Sequence, residues 1–303
     1  MITTLREAYE SSIKMLEQSG YTENEAQLCA RLVLDHATGK SHAHLVDPHY
    51  PLNGDEFLFS IWALQRGEPL AHLLGKRDFY GLQFVCDNRA LIPRPETELL
   101  VEHVVESFKS RDRVLVADLG TGSGCIAVSI AHSLPQAVVY ATDLSRDALS
   151  LARENARLHN VASRIEFIEP IDLSNEQIGN WSLPLEREGF AQMFNCVVTN
   201  PPYIAPRDIE ELPTQIKDFE PRLALDGGAD GLDCYRQIAA QCGTLLTRDG
   251  FLLAELGAGQ FAAVRAIFES HNWQVAPPIF DFAGHERVLR AVKTGDLKYL
   301  RPA

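Results

Sequence analysis

The run Val114-Leu115-Val116-Ala117-Asp118-Leu119 passes without a break into Gly120-Thr121-Gly122-Ser123-Gly124, and an apolar helical segment starts at Cys125. Strand, glycine turn and helix in that order admit few folds. The glycines let backbone approach a ligand closely, and the turn delivers a helix N-terminus to it. The alternation then continues. Residues 137–142 read as a second strand, 144–160 as a helix, 164–168 as a third strand and 194–199 as a fourth. Residues 232–246 return to helix, 248–250 make a turn and 251–256 form a fifth strand. A helix over 260–269 precedes two closing strands, 273–281 and 287–292, joined near Gly284. This order predicts an α/β fold with a mainly parallel, Rossmann-like sheet and an antiparallel edge.

The glycine turn allows two cofactor readings. Gly122-Ser123-Gly124-Cys125-Ile126-Ala127 satisfies a degenerate dinucleotide fingerprint. Asp118 stands immediately before the turn, however, and a carboxylate there welcomes a cationic amino-acid moiety and repels a pyrophosphate. S-adenosylmethionine is therefore the expected cofactor, held by Asp118, Gly120, Thr121, Gly122, Ser123 and Gly124. Asp143, at the end of the second strand, is placed to bond ribose hydroxyls. Asp172 and Leu173, just past the third strand, are the candidates for the adenine side, and residues 174–192 read as a surface excursion.

The fourth strand ends in Asn200-Pro201-Pro202-Tyr203, at the edge where open α/β sheets bind ligands. Two prolines remove two donors and hold the preceding Asn extended, so its carboxamide is aimed. The Asn200 oxygen and the Pro201 carbonyl can each accept one hydrogen of an amide-like NH2, while Tyr203 can pack over a cationic donor or the target group. Asn200, Pro201, Pro202 and Tyr203 are the candidate catalytic residues, with Asn200 also facing the cofactor. The long segment 204–233 is too irregular for one element.

Residues 1–75 differ in character. Helical spacing runs from residue 4 to Gly20, a capping box Thr22/Glu25 opens a second helix that Gly39 ends, and a third helix spans about residues 55–66. This N-terminal helical domain is either a packing module or a protein-substrate docking domain. A β-hairpin around Gly81 makes residues 76–90 a linker, and residues 91–303 make the methyltransferase domain. His42, His44 and His49 lie close together in loop sequence without the carboxylate or Cys spacing of a metal site, and no metal is expected.

A net charge of −13 disfavours a nucleic-acid partner. Six cysteines without a C-x-x-C pair imply reduced thiols and a cytoplasmic location, and no apolar run is long enough to enter a membrane.

Several motifs occur here in one order: Glu68-Pro69-Leu70, Leu91-Ile92-Pro93-Arg94-Pro95-Glu96-Thr97-Glu98, residues 118–124, Asn200-Pro201-Pro202-Tyr203, and the string from Asp218 to Gly228. Together they resemble the HemK-type protein-(glutamine-N5) methyltransferases. The resemblance implies a class I methyltransferase fold using S-adenosylmethionine, and as partner a class 1 peptide chain release factor methylated on the glutamine of its Gly-Gly-Gln motif. It also implies that Gly120–Gly124 and Asp143 hold the cofactor and that residues 200–203 hold the substrate amide. A sister group acting on a ribosomal protein shares the Asn-Pro-Pro-Tyr and glycine motifs. Adenine-N6 methylation of nucleic acid is the remaining alternative.

Overall fold

The computed structural model describes residues 4–41, 54–169 and 189–294. These form two compact units: one takes the chain up to Lys76 together with Pro213–Phe219, the other Arg77–Leu212 and the chain from Glu220 onward.

The first unit is helical, with α1 (Leu5–Gln18), α2 (Glu23–Thr38), α3 (Gly54–Gln65) and α4 (Leu70–Leu74). Thr4 and Thr22 each open a helix with a capping box, so orphan amides of the first turn are satisfied by side chains. Gly39 ends α2 at φ 66°, a conformation that costs glycine nothing. Leu5, Leu16, Val33, Phe57, Ile61 and Leu64 fill the core, while Leu58 of α3 turns outward. The segment Pro213–Phe219 lies hard against the Gly67 turn, where a Cβ would come within 2.7 Å of Thr214 Cγ2.

The hairpin of β1 (Lys76–Phe79) and β2 (Leu82–Val85) carries the chain into the second unit, which begins at Arg77. Tyr80 and Gly81 both have positive φ, the geometry of a tight two-residue hairpin turn. A 3-10 turn, Pro95–Thr97, leads into α5 (Glu98–Phe108). Then follow β3 (Val114–Leu119), α6 (Cys125–Ser133), β4 (Ala137–Thr142), α7 (Arg146–Leu158), β5 (Ile165–Ile168) and β6 (Phe194–Thr199). The chain closes with α8 (Asp233–Gln241), β7 (Leu246–Glu255), α9 (Phe261–Ser270), β8 (Trp273–Val275), β9 (Ile279–Phe280) and β10 (Glu286–Lys293).

The sheet runs β5-β4-β3-β6-β7-β10-β8, with β9 also on β10. Its first five strands are parallel and β10 is antiparallel to its neighbours. Successive residues alternate between two apolar layers. Val116, Val198 and Leu253 meet α5 and α6, while Ala117, Val197 and Leu252 meet α8 and α9. The chain steps outward from β3 to β4 and β5, then returns to lay β6 on the other side of β3. That reversal leaves a crevice at the carboxyl ends of β3 and β6.

Two expectations are corrected. The turn at 248–250 is a bulge inside β7, which starts at Leu246, and the register moves from Phe194 opposite Leu246 to Cys196 opposite Phe251. The expected strand 273–281 is split into β8 and β9 at Pro277-Pro278, which carry no N–H for the ladder. His42, His44, His49, Asp172, Leu173 and most of the expected excursion, residues 174–188, lie outside the described residues.

Candidate functional site

At the switch between β3 and β6 the second unit holds a cavity of about 1240 Å³, counting its mouth. Its floor is the glycine turn. Gly120, Thr121, Gly122 and Ser123 line it, and Gly120, Gly122 and Gly124 all have positive φ. Gly124 is required by space as well, because a Cβ there would lie 2.9 Å from the Ala152 Cβ of α7.

Four amides of this turn are already committed. Gly120 and Thr121 both donate to the Thr142 carbonyl at 2.9 Å, Gly122 donates to Asp143 Oδ2 at 2.8 Å, and Gly124 donates to the Thr121 carbonyl at 2.8 Å. Asp118 is fully buried, and its Oδ2 accepts from Thr121 Oγ1 at 2.7 Å and from the Ala127 amide at 3.2 Å. The carboxyl of Asp118 therefore caps the first turn of α6 from beneath, through the Ala127 amide. The carboxyl itself is pushed up to about 7, by burial first, with the Thr121 and Ala127 hydrogen bonds opposing and Asp143 adding to the rise.

Asp118, expected in the cofactor site, is buried beneath the turn and is not one of the residues lining the cavity. It shares a strand face with Val114 and Val116, under α6, so it braces the turn from below. Asp143 does line the cavity. Its two oxygens hold the Gly122 and Ser145 amides at 2.8 Å, each keeping a further lone pair for a ligand hydroxyl. Leu91, Ile92, Ile126, Leu144 and Ala148 give the walls an apolar character suited to a base or an aliphatic chain.

Asn200 faces the same cavity from the end of β6, beside Pro202. Its Nδ2 donates to Thr97 Oγ1 at 3.1 Å, and the Thr97 hydroxyl in turn donates to Glu255 Oε2 at 2.6 Å. With its one proton spent on Glu255, Thr97 presents only lone pairs to Asn200. That selects the NH2 end of the carboxamide for the Thr97 side and leaves Oδ1 for the cavity.

Pro201 is buried and Tyr203 is half-buried, and the ring of neither forms the cavity wall. Tyr203 packs instead toward α8 and α9: a Cβ on Gly257 would lie 3.0 Å from its ring, and its carbonyl accepts from Gln260 Nε2 at 3.0 Å. Burial, with Glu255 adding to it, pushes the Tyr203 phenol up to about 12, so it stays protonated.

The segment after Tyr203 wraps this loop. Gly227 donates to the Ile204 carbonyl at 2.9 Å, and a Cβ on it would sit 2.7 Å from Tyr203 Cα. Arg94, another cavity residue, is joined to buried Glu220 at 2.5 Å. The two strings flanking the Asn-Pro-Pro-Tyr turn in the sequence are thus parts of one wall.

Residues 95–216 match the methyltransferase small domain family. A release factor glutamine methyltransferase of Moorella thermoacetica is 37% identical over 298 residues, covering 96% of this chain and 99% of that protein. The chain belongs to the release factor glutamine methyltransferases. A member from Caulobacter vibrioides is 32% identical across 97% of this chain and 98% of its own, and one from Chlorobaculum tepidum is 39% identical across 82% and 84%. Among solved structures, the hMettl16 catalytic domain in complex with the MAT2A 3′UTR hairpin 6 aligns with TM-score 0.52 at 16% identity, over 70% of this chain and 75% of that one, which speaks to the fold alone.

Within this methyltransferase, three residues that the sequence did not single out complete the site, Asn155, Glu255 and Gln260, together with Thr97, which the sequence offered only as part of the longer string 91–98. Asn155 of α7 is fully buried and donates to the Ser123 carbonyl at 2.9 Å, while its Oδ1 accepts from the Val85 amide at 2.7 Å, tying the hairpin to the glycine turn. A polar residue inside the apolar stripe of an amphipathic helix is the signal that marks it.

Proposed function

We propose that this enzyme transfers a methyl group from S-adenosylmethionine to the side-chain nitrogen of the glutamine in the Gly-Gly-Gln motif of class 1 release factors. The single observation that carries the chemistry is the orientation of Asn200, whose NH2 is tied to Thr97 so that a hydrogen-bond acceptor faces the cavity. The names of the relatives at 32–39% identity support the substrate.

The glycine turn, Asp143 and the apolar wall of Leu144 and Ala148 are the residues that fit the cofactor. When bound, the cofactor supplies a methyl group on a sulfonium, which leaves as a neutral thioether. An amide nitrogen is a poor nucleophile because its lone pair is delocalised into the carbonyl. Asn200 Oδ1 accepts one N–H of the substrate amide and the Pro201 carbonyl the other, which directs the nitrogen lone pair at the methyl carbon. Transfer to this nitrogen would make the N–C bond at the expense of the C–S bond. One N–H proton is then lost, having become acidic only as the new bond formed, so no strong base has to act beforehand. Pro202 and the Arg94–Glu220 pair enclose the cavity around this geometry.

Residues 1–75 serve in this proposal as the docking domain for the protein substrate, with 76–90 as linker and 91–303 as the methyltransferase domain. Phe59 and Trp62 of α3 support it, being 60% and 50% exposed, side by side, with Arg66 over the Trp62 ring. No described helix is long and apolar enough to cross a membrane. All six cysteines are buried and none is in a disulfide, which fits a cytoplasmic location, and the −13 charge disfavours direct binding to nucleic acid.

The test is methyl transfer from labelled S-adenosylmethionine to a purified release factor, beside its Gly-Gly-Gln glutamine-to-alanine version, a ribosomal protein and an adenine-containing oligonucleotide. Label on the intact factor alone is the expected result. Label on the ribosomal protein or the oligonucleotide in its place would overturn the substrate assignment.

A further inference from the structure

Glu255 is a buried acid at the carboxyl end of β7, 2% exposed, which the reaction as written does not use. It follows Ala254, the register partner of Thr199, and so stands beside Asn200 on the adjacent strand. One of its oxygens accepts the Thr97 hydroxyl proton, and the Asn200 amide lies within hydrogen-bonding reach of the same carboxylate. Thr97 and Asn200 are thus two donors directed at one group. An ionised carboxylate offers each of them its own acceptor oxygen.

We propose that Glu255 is a positioning residue that fixes which end of the Asn200 carboxamide faces the substrate. The inference rests on the assignment of Asn200 as acceptor for the substrate amide, and it adds what enforces that assignment. With Glu255 ionised, the Thr97 hydroxyl points to it, Thr97 is a pure acceptor toward Asn200, and Oδ1 faces the cavity. Protonation of Glu255 reverses the chain. The acid then donates to Thr97, Thr97 is free to donate to Asn200, and the carboxamide gains from turning over. Its NH2 would then meet the NH2 of the substrate, donor against donor.

The groups around Glu255 set where that reversal occurs. Burial raises its carboxyl to about 7, with Glu96 of the 3-10 turn adding to the rise; Thr97, Arg287 of β10 and Asn200 oppose it. Tyr203, Tyr235 of α8 and Cys125 of α6 also face it, and burial holds all three well above neutrality, hence uncharged. The ionised form is therefore lost as pH falls through about 7.

The experiment compares the wild type with Glu255→Gln, Thr97→Val and Thr97→Ser, using the full chain and a purified release factor. A glutamine at 255 has one acceptor and one donor, so either Thr97 or Asn200 meets a donor whichever way it turns. The expected result for Glu255→Gln is a kcat lower by about 100-fold, the scale of a misaligned reacting group. Cofactor affinity and thermal midpoint should stay close to wild type. The acid limb of the kcat/KM profile near pH 7 should disappear. Thr97→Val should lose rate similarly, Thr97→Ser should recover most of it, and Glu255→Gln/Thr97→Val should be no worse than either single change.

Wild-type kcat and an unchanged acid limb in Glu255→Gln would overturn the inference, as would a loss of cofactor affinity or stability in step with the rate. The wild type separates this from the proposed function. Transfer to the release factor by wild type and variant alike removes only the role of Glu255. No transfer by the wild type removes the function, and this inference with it.

Discussion

Asn200 presents a single acceptor to the cavity because its other end is held by Thr97. Replacing it with alanine removes that acceptor and leaves the glycine turn untouched. We expect Asn200→Ala to lower kcat by at least about 100-fold, the cost of losing alignment, with cofactor affinity by calorimetry within a few-fold of wild type. An affinity that falls as far as the rate would show that Asn200 serves the cofactor instead. Asn200 and the three glycines were legible in the sequence because prolines and positive-φ glycines constrain the backbone locally, whatever the rest of the chain does. Thr97 and Glu255 were not, since their meaning comes from pairings across 103 and 158 positions. Asp118 stands under the turn and off the cavity wall. The alternation Val114, Val116, Asp118 already put it on the face covered by α6, and that parity, rather than closeness to the turn, decides where a strand residue points.

Between β6 and α8 the chain behaves as a wrapping around the Asn-Pro-Pro-Tyr turn, and its glycines mark where backbone meets backbone. Gly227 has no room for a side chain, with Tyr203 Cα at 2.7 Å and the Pro202 carbonyl at 2.9 Å from the position of a Cβ. Gly227→Ala must therefore displace the turn that carries Asn200. We expect a drop of about 10–100-fold in kcat, the scale of a displacement under 1 Å at a reacting group. Cofactor affinity should be nearly unchanged, since the glycine turn and Asp143 lie elsewhere. A variant with wild-type kcat would show that the turn tolerates the shift. The strand and helix periods gave most of this unit in advance. The splitting of the last strand at Pro277-Pro278 and the bulge in β7 were misjudged because the effect of proline, or of an extra loop of residues, on a ladder depends on which strand lies opposite.

At the scale of the molecule, two buried acids set how stability responds to pH. Asp118 and Glu255 are each held at about 7, above their values in an unfolded chain. The folded protein thus keeps protons that the unfolded chain releases near pH 4. Their contribution is fully present below that pH and is lost as pH rises through about 7. We expect the thermal midpoint to fall between pH 5 and pH 8, and Asp118→Asn to flatten that fall, both measurable by calorimetric scans. A midpoint that rises over the same range would contradict the burial of these groups as ionisable acids. The exposed pair Phe59 and Trp62 gives a second test. Changing both to serine should raise KM for the release factor about tenfold or more, as loss of aromatic anchors does, while leaving kcat and the thermal midpoint nearly unchanged. An unaltered KM would move the docking surface off α3.

The segment Pro213–Phe219 leaves the second unit at Leu212, lies against the Gly67 turn of the first, and returns at Glu220. The units are therefore joined at three points along the chain. A protease that nicks only the hairpin leaves two polypeptides still held by the other two crossings. An exchange of the first 76 residues between two proteins built this way would carry the helices without the piece that Gly67 packs against. Residues 213–219 would have to travel with them as part of the same cassette.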